Sequence, residues 1–460
     1  MGTQTNDLLY TKKNVYKEKA NDKLKQAIDY AEGYKKYLDA AKTEREAVTE
    51  SIAMAEKEGY KPFTFGTKVK QGDKYYYNNR NKNLFLFAVG SEPIENGIRI
   101  TAAHIDSPRL DLKPCPLYEE SGISYLKTHY YGGIRKYQWL TIPLALHGVV
   151  SKPDGTNVTV KIGDDENDPV FFINDLLPHL SHGDDAKPLS QAFSGEKLNA
   201  VAGSFPAEDD GADQPVKLQT IKLLNERFGM TEEDFISSEL CFVPAAKARD
   251  VGLDRSMIGG YGHDDRVCAY PALTALLDAK APKHTLMCIL ADKEEIGSVG
   301  ATGMRCDVIL DLIDAIARSL GADPALVRSN SCCISSDVAA EYDPDYAEVF
   351  EKRNSSMLNC GVTVCKYTGA RGKSGSNDAP AEFVAFIRHI MELGNVTWQM
   401  AELGKVDAGG GGTVAMFLAE HNISTIDIGV GVLAMHAPYE LISKADLYEA
   451  YKAFSAFNQF

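Results

Sequence analysis

Downstream of Pro244 the chain alternates apolar runs of strand length with longer stretches at helical spacing, and that alternation admits few folds. The order predicts a helix over 267 to 279, a strand over 284 to 291 (HTLMCILA), a helix over 304 to 319, a strand over 331 to 336, a helix over 378 to 394, a strand over 424 to 428 and a terminal helix from Ser443. Strands this apolar must be covered on both faces, which parallel strands joined by crossover helices achieve. The expected class is therefore α/β, a mixed, mainly parallel sheet flanked by helices. Lys82 to Gly90 and Gly97 to His104 read as two more buried strands, the second carrying a polar end at His104. Residues 14 to 58, with Leu24, Ala27, Ile28, Ala31, Tyr34 and Leu38 at helical spacing, predict amphipathic helices on the outside.

Between about Pro114 and Phe242 the texture changes to short alternating runs such as TNVTVKI (156 to 162), separated by turn signals like Pro153-Asp154-Gly155 and an acidic stretch near 205 to 213. An inserted, mostly β domain is expected there. The division is a catalytic domain over 1–113 and 244–460, interrupted by a β-rich domain over 114–243.

A formal charge of -15, with no dense Lys/Arg stripe to offset it, would repel phosphate backbones and anionic membrane surfaces, so neither nucleic acid nor a membrane is an expected partner. Nine cysteines without CxxC pairing suggest reduced thiols in a cytosol. The opening MGTQTNDLLYTKKN lacks the apolar core of a signal peptide, and Asn6 stands where a myristoylation start needs Ser or Thr. No run of about 18 apolar residues exists to span a bilayer. The expected location is cytoplasmic.

Five short segments concentrate His and carboxylate: AAHIDSP (102 to 108), GHDDRV (262 to 267), ADKEEIGS (291 to 298), SSDVA (335 to 339) and AMHAPYE (434 to 440). Four sit at or just beyond an expected strand end and GHDDRV precedes a helix, so a parallel sheet would bring them to one edge. Two imidazoles among carboxylates, without a cysteine, form the N/O donor set suited to zinc, with cobalt or manganese as alternatives. Taken singly, each has a plainer reading. His104 or His436 alone would more often be a hydrogen-bonded structural residue, Asp264-Asp265 and Glu294-Glu295 solvated charge, and Asp337 an N-cap. Those readings would all have to hold independently, which makes the joint pattern hard to credit to chance.

The order His-x-Asp, Asp-Asp, Glu-Glu, Ser-x-Asp and late Met-His resembles the aspartyl aminopeptidase or aminopeptidase I family of dinuclear zinc exopeptidases, over nearly the whole chain. The resemblance implies two zinc ions per subunit held by His104, Asp264, Glu295, Asp337 and His436. Asp264 would bridge the metals, Asp106 would orient His104, and Glu294 would be the general base for removing N-terminal residues from peptides. It also implies that the inserted domain pairs subunits, that His179 of Pro178-His179-Leu180 stabilises an oxyanion across that interface, and that dimers build a dodecamer. Lys366, at the start of KYTGARGKSGSNDA (366 to 379), would line the specificity pocket, with Arg371 and Lys373 as rivals. Members preferring acidic first residues carry histidines after Ser-x-Asp, whereas this chain reads Val338-Ala339-Ala340-Glu341-Tyr342-Asp343-Pro344. A neutral or basic first residue is thus at least as plausible as aspartate, given Glu341 and Asp343 nearby. A metal-bearing scaffold and a two-zinc deacylase remain as alternatives.

Overall fold

The computed structural model describes residues 8–18, 22–208 and 211–460. Residues 1–7, on which most of the signal-peptide and acylation readings rest, lie outside them, as do two acidic residues of the 205 to 213 stretch. No helix among the described residues is long and apolar enough to cross a membrane. The chain divides into two units, one of Met1–Asp106, Ala248–Met435 and Glu440–Phe460, the other of Ser107–Lys247 with His436–Tyr439. The insertion expected over 114–243 falls inside the second unit, whose main segment runs several residues further at either end.

The first unit is built on a nine-stranded sheet. At its centre Thr285–Ala291, Ile98–His104, Cys332–Ser335 and Ser424–Gly429 lie side by side and parallel. Antiparallel pairings occur on either side, through Asn83–Ala88 and Lys74–Asn79 on one and Val362–Cys365 on the other. Side chains alternate between the two faces of a strand, and each face here has its own core. Leu286, Cys288 and Leu290 belong to one cluster, packed with the helices Asp22–Ala40, His263–Leu277, Ala381–Leu393 and Lys444–Gln459. Met287, Ile289 and Ala291 belong to the other, packed with Val308–Ser319 and Ala415–Ala419. The apolar runs are uninterrupted because both faces are covered.

Most elements fall within a few residues of their expected places, and the shifts have local causes. The helix expected from 267 starts at His263, because its first turn, at Asp264 and Asp265, is not regular helix and gives no periodic signal. The last helix starts where expected, since the Ser443 hydroxyl accepts the N–H groups of Ala445 and Asp446. A five-stranded sheet of two- to four-residue strands, in the order Arg249–Val251, Met257–Gly260, Glu440–Ser443, Gly431–Leu433 and Ala339–Ala340, is a feature the sequence reading did not contain. Strands so short carry too little period to detect.

The second unit is a seven-stranded antiparallel sheet centred on Leu144–Ser151, Ser238–Pro244, Arg109–Glu120 and Ile123–Tyr131. The helix Pro215–Phe228 buries Val216, Thr220 and Leu224.

Ile334 is fully buried on the strand that leads to Asp337. Ile334→Ala should cost the first unit about 2–5 kcal/mol through lost transfer energy and an unfilled cavity. A urea melt followed by far-UV circular dichroism reads this directly, and an unshifted midpoint would contradict the packing described.

Candidate metal centre

Pairing register brings the functional segments together. Ala291 stands opposite His104, and Ser335 opposite Ala102, so three parallel strands end almost level. His104 is the last residue of its strand, Glu294 and Glu295 form a single turn three residues beyond theirs, and Asp337 comes two residues after Ser335. Asp264 and Asp265 arrive from the small sheet, at the head of the helix that follows Met257–Gly260.

The His104 ring is oriented through Nδ1, which donates to the Asp106 carbonyl oxygen at 3.0 Å, with the Asp106 carboxylate at 3.3 Å. Its Nε2 therefore faces Asp264 Oδ1 at 3.1 Å and Asp337 Oδ1 at 3.7 Å. An imidazole pinned at one nitrogen and turned toward carboxylates with the other is the usual presentation of a metal ligand. The backbone N–H of His104 donates to Asp265 Oδ2 at 3.2 Å, tying the strand end to the Asp-Asp turn. Asp264 N–H donates to Glu440 Oε2 at 3.1 Å.

Asp106 does more than orient a ring. Its two carboxylate oxygens accept the N–H groups of Glu294 and Glu295, each at 3.2 Å. One buried carboxylate thus organises both His104 and the Glu-Glu turn. Arg266, fully buried, donates to the carbonyls of Ile105 (3.0 Å) and Lys42 (2.9 Å), holding the segment between His104 and Asp106 from behind. Sequence reasoning passed over Arg266, although an arginine opening an apolar helix is itself a signal of buried polar work.

The electrostatics are those of a cluster short of positive charge. Burial, reinforced by Asp337, pushes the Glu294 carboxyl up to about 8. Burial likewise raises Asp265 and Asp337. For His104 burial works against the charged ring, yet Asp106, Asp264 and Asp337 overcome it and raise the ring well above its ordinary value. Donor atoms of His104, Asp264 and Glu295 lie within 4.8 Å of one another, as do those of His104, Asp265 and Asp337. Imidazole nitrogen with carboxylate oxygens, and no thiolate, fits a zinc ion by donor chemistry, and a cation would relieve the repulsion.

The remaining expected residues have these surroundings. His436 belongs to the second unit, where its Nδ1 lies 2.7 Å from the Gly133 carbonyl oxygen. Its backbone has φ 66°, and that of Ala434 has φ 57°, unusual for residues with a Cβ. His179 is exposed, on the short turn Pro178–Leu180 of the second unit. Lys366 is 3.9 Å from Asp378, which also binds its rival Lys373 at 2.9 Å. Glu341 and Asp343 are occupied differently from the sequence reading. Glu341 is buried and accepts from the Ser356 hydroxyl at 3.1 Å, while Asp343 accepts the Asp345 N–H as a helix cap. Glu341 is thereby closed off from solvent, whereas Asp343 is half-buried.

Two outcomes follow. Asp106→Ala should weaken zinc binding about 10–100-fold, as loss of a ligand's supporting partner does, when titrated against a chromophoric chelator; unchanged affinity would contradict its organising role. Groups whose values are raised by folding stabilise fully at low pH and lose that contribution as pH climbs through the folded value. Glu294, raised to about 8, and His104 both have this sign. Zinc-stripped protein should therefore melt lower at about pH 9 than at about pH 7, and a flat or rising Tm would contradict the electrostatics.

The model of the family described as aminopeptidase I zinc metalloprotease (M18) matches residues 37–458. A probable M18 family aminopeptidase 1 of Clostridium acetobutylicum is 50% identical over 98% of this chain and 99% of its own length. One of Thermotoga maritima is 45% identical over 96% and 98%. Among solved structures, the T. maritima M18 aminopeptidase superposes with a TM-score of 0.94 at 44% identity, covering 98% of this chain and 100% of that one. The yeast mApe1 dodecamer shares the fold, at a TM-score of 0.77, 20% identity and coverage of 93% and 96%. The chain belongs to the aminopeptidase I (M18) family of zinc metalloproteases.

Proposed function

We propose that this aminopeptidase works with two zinc ions per chain and with Glu294 as its general base. The observation that carries the reading is the meeting of His104, Asp264, Glu295 and Asp337 at one sheet edge, with Glu294 held beside Glu295 by the same Asp106 carboxylate. His104, Asp264 and Asp337 would hold one ion, and Asp264, Glu295 and His436 the other, Asp264 serving both. For His436, the Gly133 bond that fixes its ring and its uncommon backbone support a functional role.

When bound, the zinc ions polarise the scissile carbonyl and lower the pKa of an attacking water. Glu294 accepts that water's proton and passes it to the departing amine, so a single carboxylate serves as base and then acid. Asp106 keeps Glu294 and Glu295 side by side, so base and ligand move as one turn. Carboxylates of the site would hold the free α-amine, which limits cleavage to the first residue. His179 is proposed to donate to the developing oxyanion from a second copy of the chain. Its exposure on a turn suits a group that acts outside its own subunit. Assembly through the antiparallel unit into a dodecamer, the state in which yeast mApe1 was solved, and residence in the cytoplasm complete the proposal.

On specificity, the two basic residues missing from 338 to 344 support a neutral or basic first residue, while the buried Glu341 does not bear on it. Lys366 remains the proposed pocket residue, its charge shared with Asp378.

A panel of aminoacyl-p-nitroanilides with acidic, basic and apolar first residues tests the reading. Neutral or basic residues should be released at least as fast as aspartate, and a strong aspartate preference would overturn the specificity proposal. Glu294→Gln should lose about 10²–10⁴-fold in kcat while keeping its zinc. A normal rate in that variant would remove Glu294 from the mechanism.

A further inference from the structure

Among the buried carboxylates that the mechanism leaves unused is Asp427. Asp427 lies within the strand Ser424–Gly429, flanked by Ile426 and Ile428, and is 4% exposed. The hydroxyls of Ser335 and Thr413 both donate to its Oδ1, at 2.9 Å and 2.7 Å. Its Oδ2 has no hydrogen-bond partner among the described residues. Burial drives the carboxyl up to about 7. A polar group left half-satisfied in an apolar strand costs stability, so packing alone gives no reason for an aspartate here.

The two hydroxyls belong to different segments of the first unit. Ser335 ends the strand that delivers Asp337 two residues later. Thr413 closes the run Gly409 to Gly412, which is wedged among neighbouring loops. A Cβ at Gly409 would lie 1.9 Å from the Leu403 carbonyl oxygen, and one at Gly410 2.2 Å from that of Gly369. Gly369 N–H donates to Gly411 O at 2.7 Å. With Tyr367, Lys373, Glu402 and Leu403, Gly409 and Gly410 line a cavity of about 130 Å³. A single carboxylate oxygen therefore joins the strand bearing a metal ligand to the glycine run in the cavity wall.

We propose that Asp427 is a positioning residue which, by holding Ser335 and Thr413 on one oxygen, sets the Gly409–Thr413 wall against the Asp337 strand and so fixes where a peptide's first residue can seat. The inference rests on the aminopeptidase reading above. Asp427 is neither a candidate metal ligand nor the proposed base, so its effect belongs in substrate binding.

The test compares zinc-loaded wild type, Asp427→Ala, Asp427→Asn and Thr413→Val by steady-state kinetics on the preferred aminoacyl-p-nitroanilide, with bound zinc per chain and Tm measured on the same samples. Asp427→Ala and Thr413→Val should raise KM about tenfold with kcat within about threefold and zinc content unchanged, the pattern of lost uniform binding. Asp427→Asn, whose amide oxygen can still accept both hydroxyls, should keep KM within about threefold of wild type. If Asp427→Ala fails to fold, Thr413→Val carries the test alone, because it preserves shape and leaves the Ser335 bond in place. An unchanged KM in Thr413→Val, or in Asp427→Ala where it folds, or a KM change that follows zinc loss, would overturn the inference. An inactive wild type would instead sink the functional reading on which it depends.

Discussion

Negative charge crowded at one sheet edge is the constraint on which the rest of this structure depends. Asp264, Glu295 and Asp337 point donor atoms toward His104, with Asp106, Asp265 and Glu294 close behind. Two carboxylates about 4 Å apart repel by roughly 4 kcal/mol at an effective dielectric near 20. Several such pairs would open the site unless protons or cations sat among them. The raised Glu294, Asp265 and Asp337 carboxyls and the raised His104 ring are what protons do when they must serve. A zinc metalloprotease family has a better occupant, and the scaffold is arranged for it.

That arrangement is mechanical as well as electrostatic. Parallel register sets three strand ends level, and Asp106 ties the His104 ring to the Glu-Glu turn through two backbone N–H groups. Asp265 and Arg266 fasten the Asp-Asp turn to the same strand exit. Each bond is modest, about 1–3 kcal/mol when it involves a charged group. Together they hold the candidate ligands in place without an ion, so less ordering would remain for a metal to supply. The Asp427 bridge would extend the same logic from the ligands to the cavity wall.

Much of this was legible in the sequence because strong signals coincide. Apolar runs such as HTLMCILA announce strands covered on both faces, and the polar residue that ends each run marks the chemical edge. The five-stranded sheet escaped notice because strands of two to four residues show no periodicity, and the place of Asp106 beneath the Glu-Glu turn depends on contacts between segments 188 and 189 residues apart. Glu341 misled for a related reason: an acidic residue near a site reads as available, while here it is buried against Ser356. Asp427 left a trace, an aspartate amid the apolar run of TIDIG, which only burial explains.

The most direct test of the central claim is a titration of zinc into metal-stripped protein, counting bound zinc per chain by atomic absorption while following peptide turnover. The account requires two ions per chain, with turnover reaching its maximum only as the second is filled. Saturation at a single ion, or full turnover in protein that holds none, would contradict it.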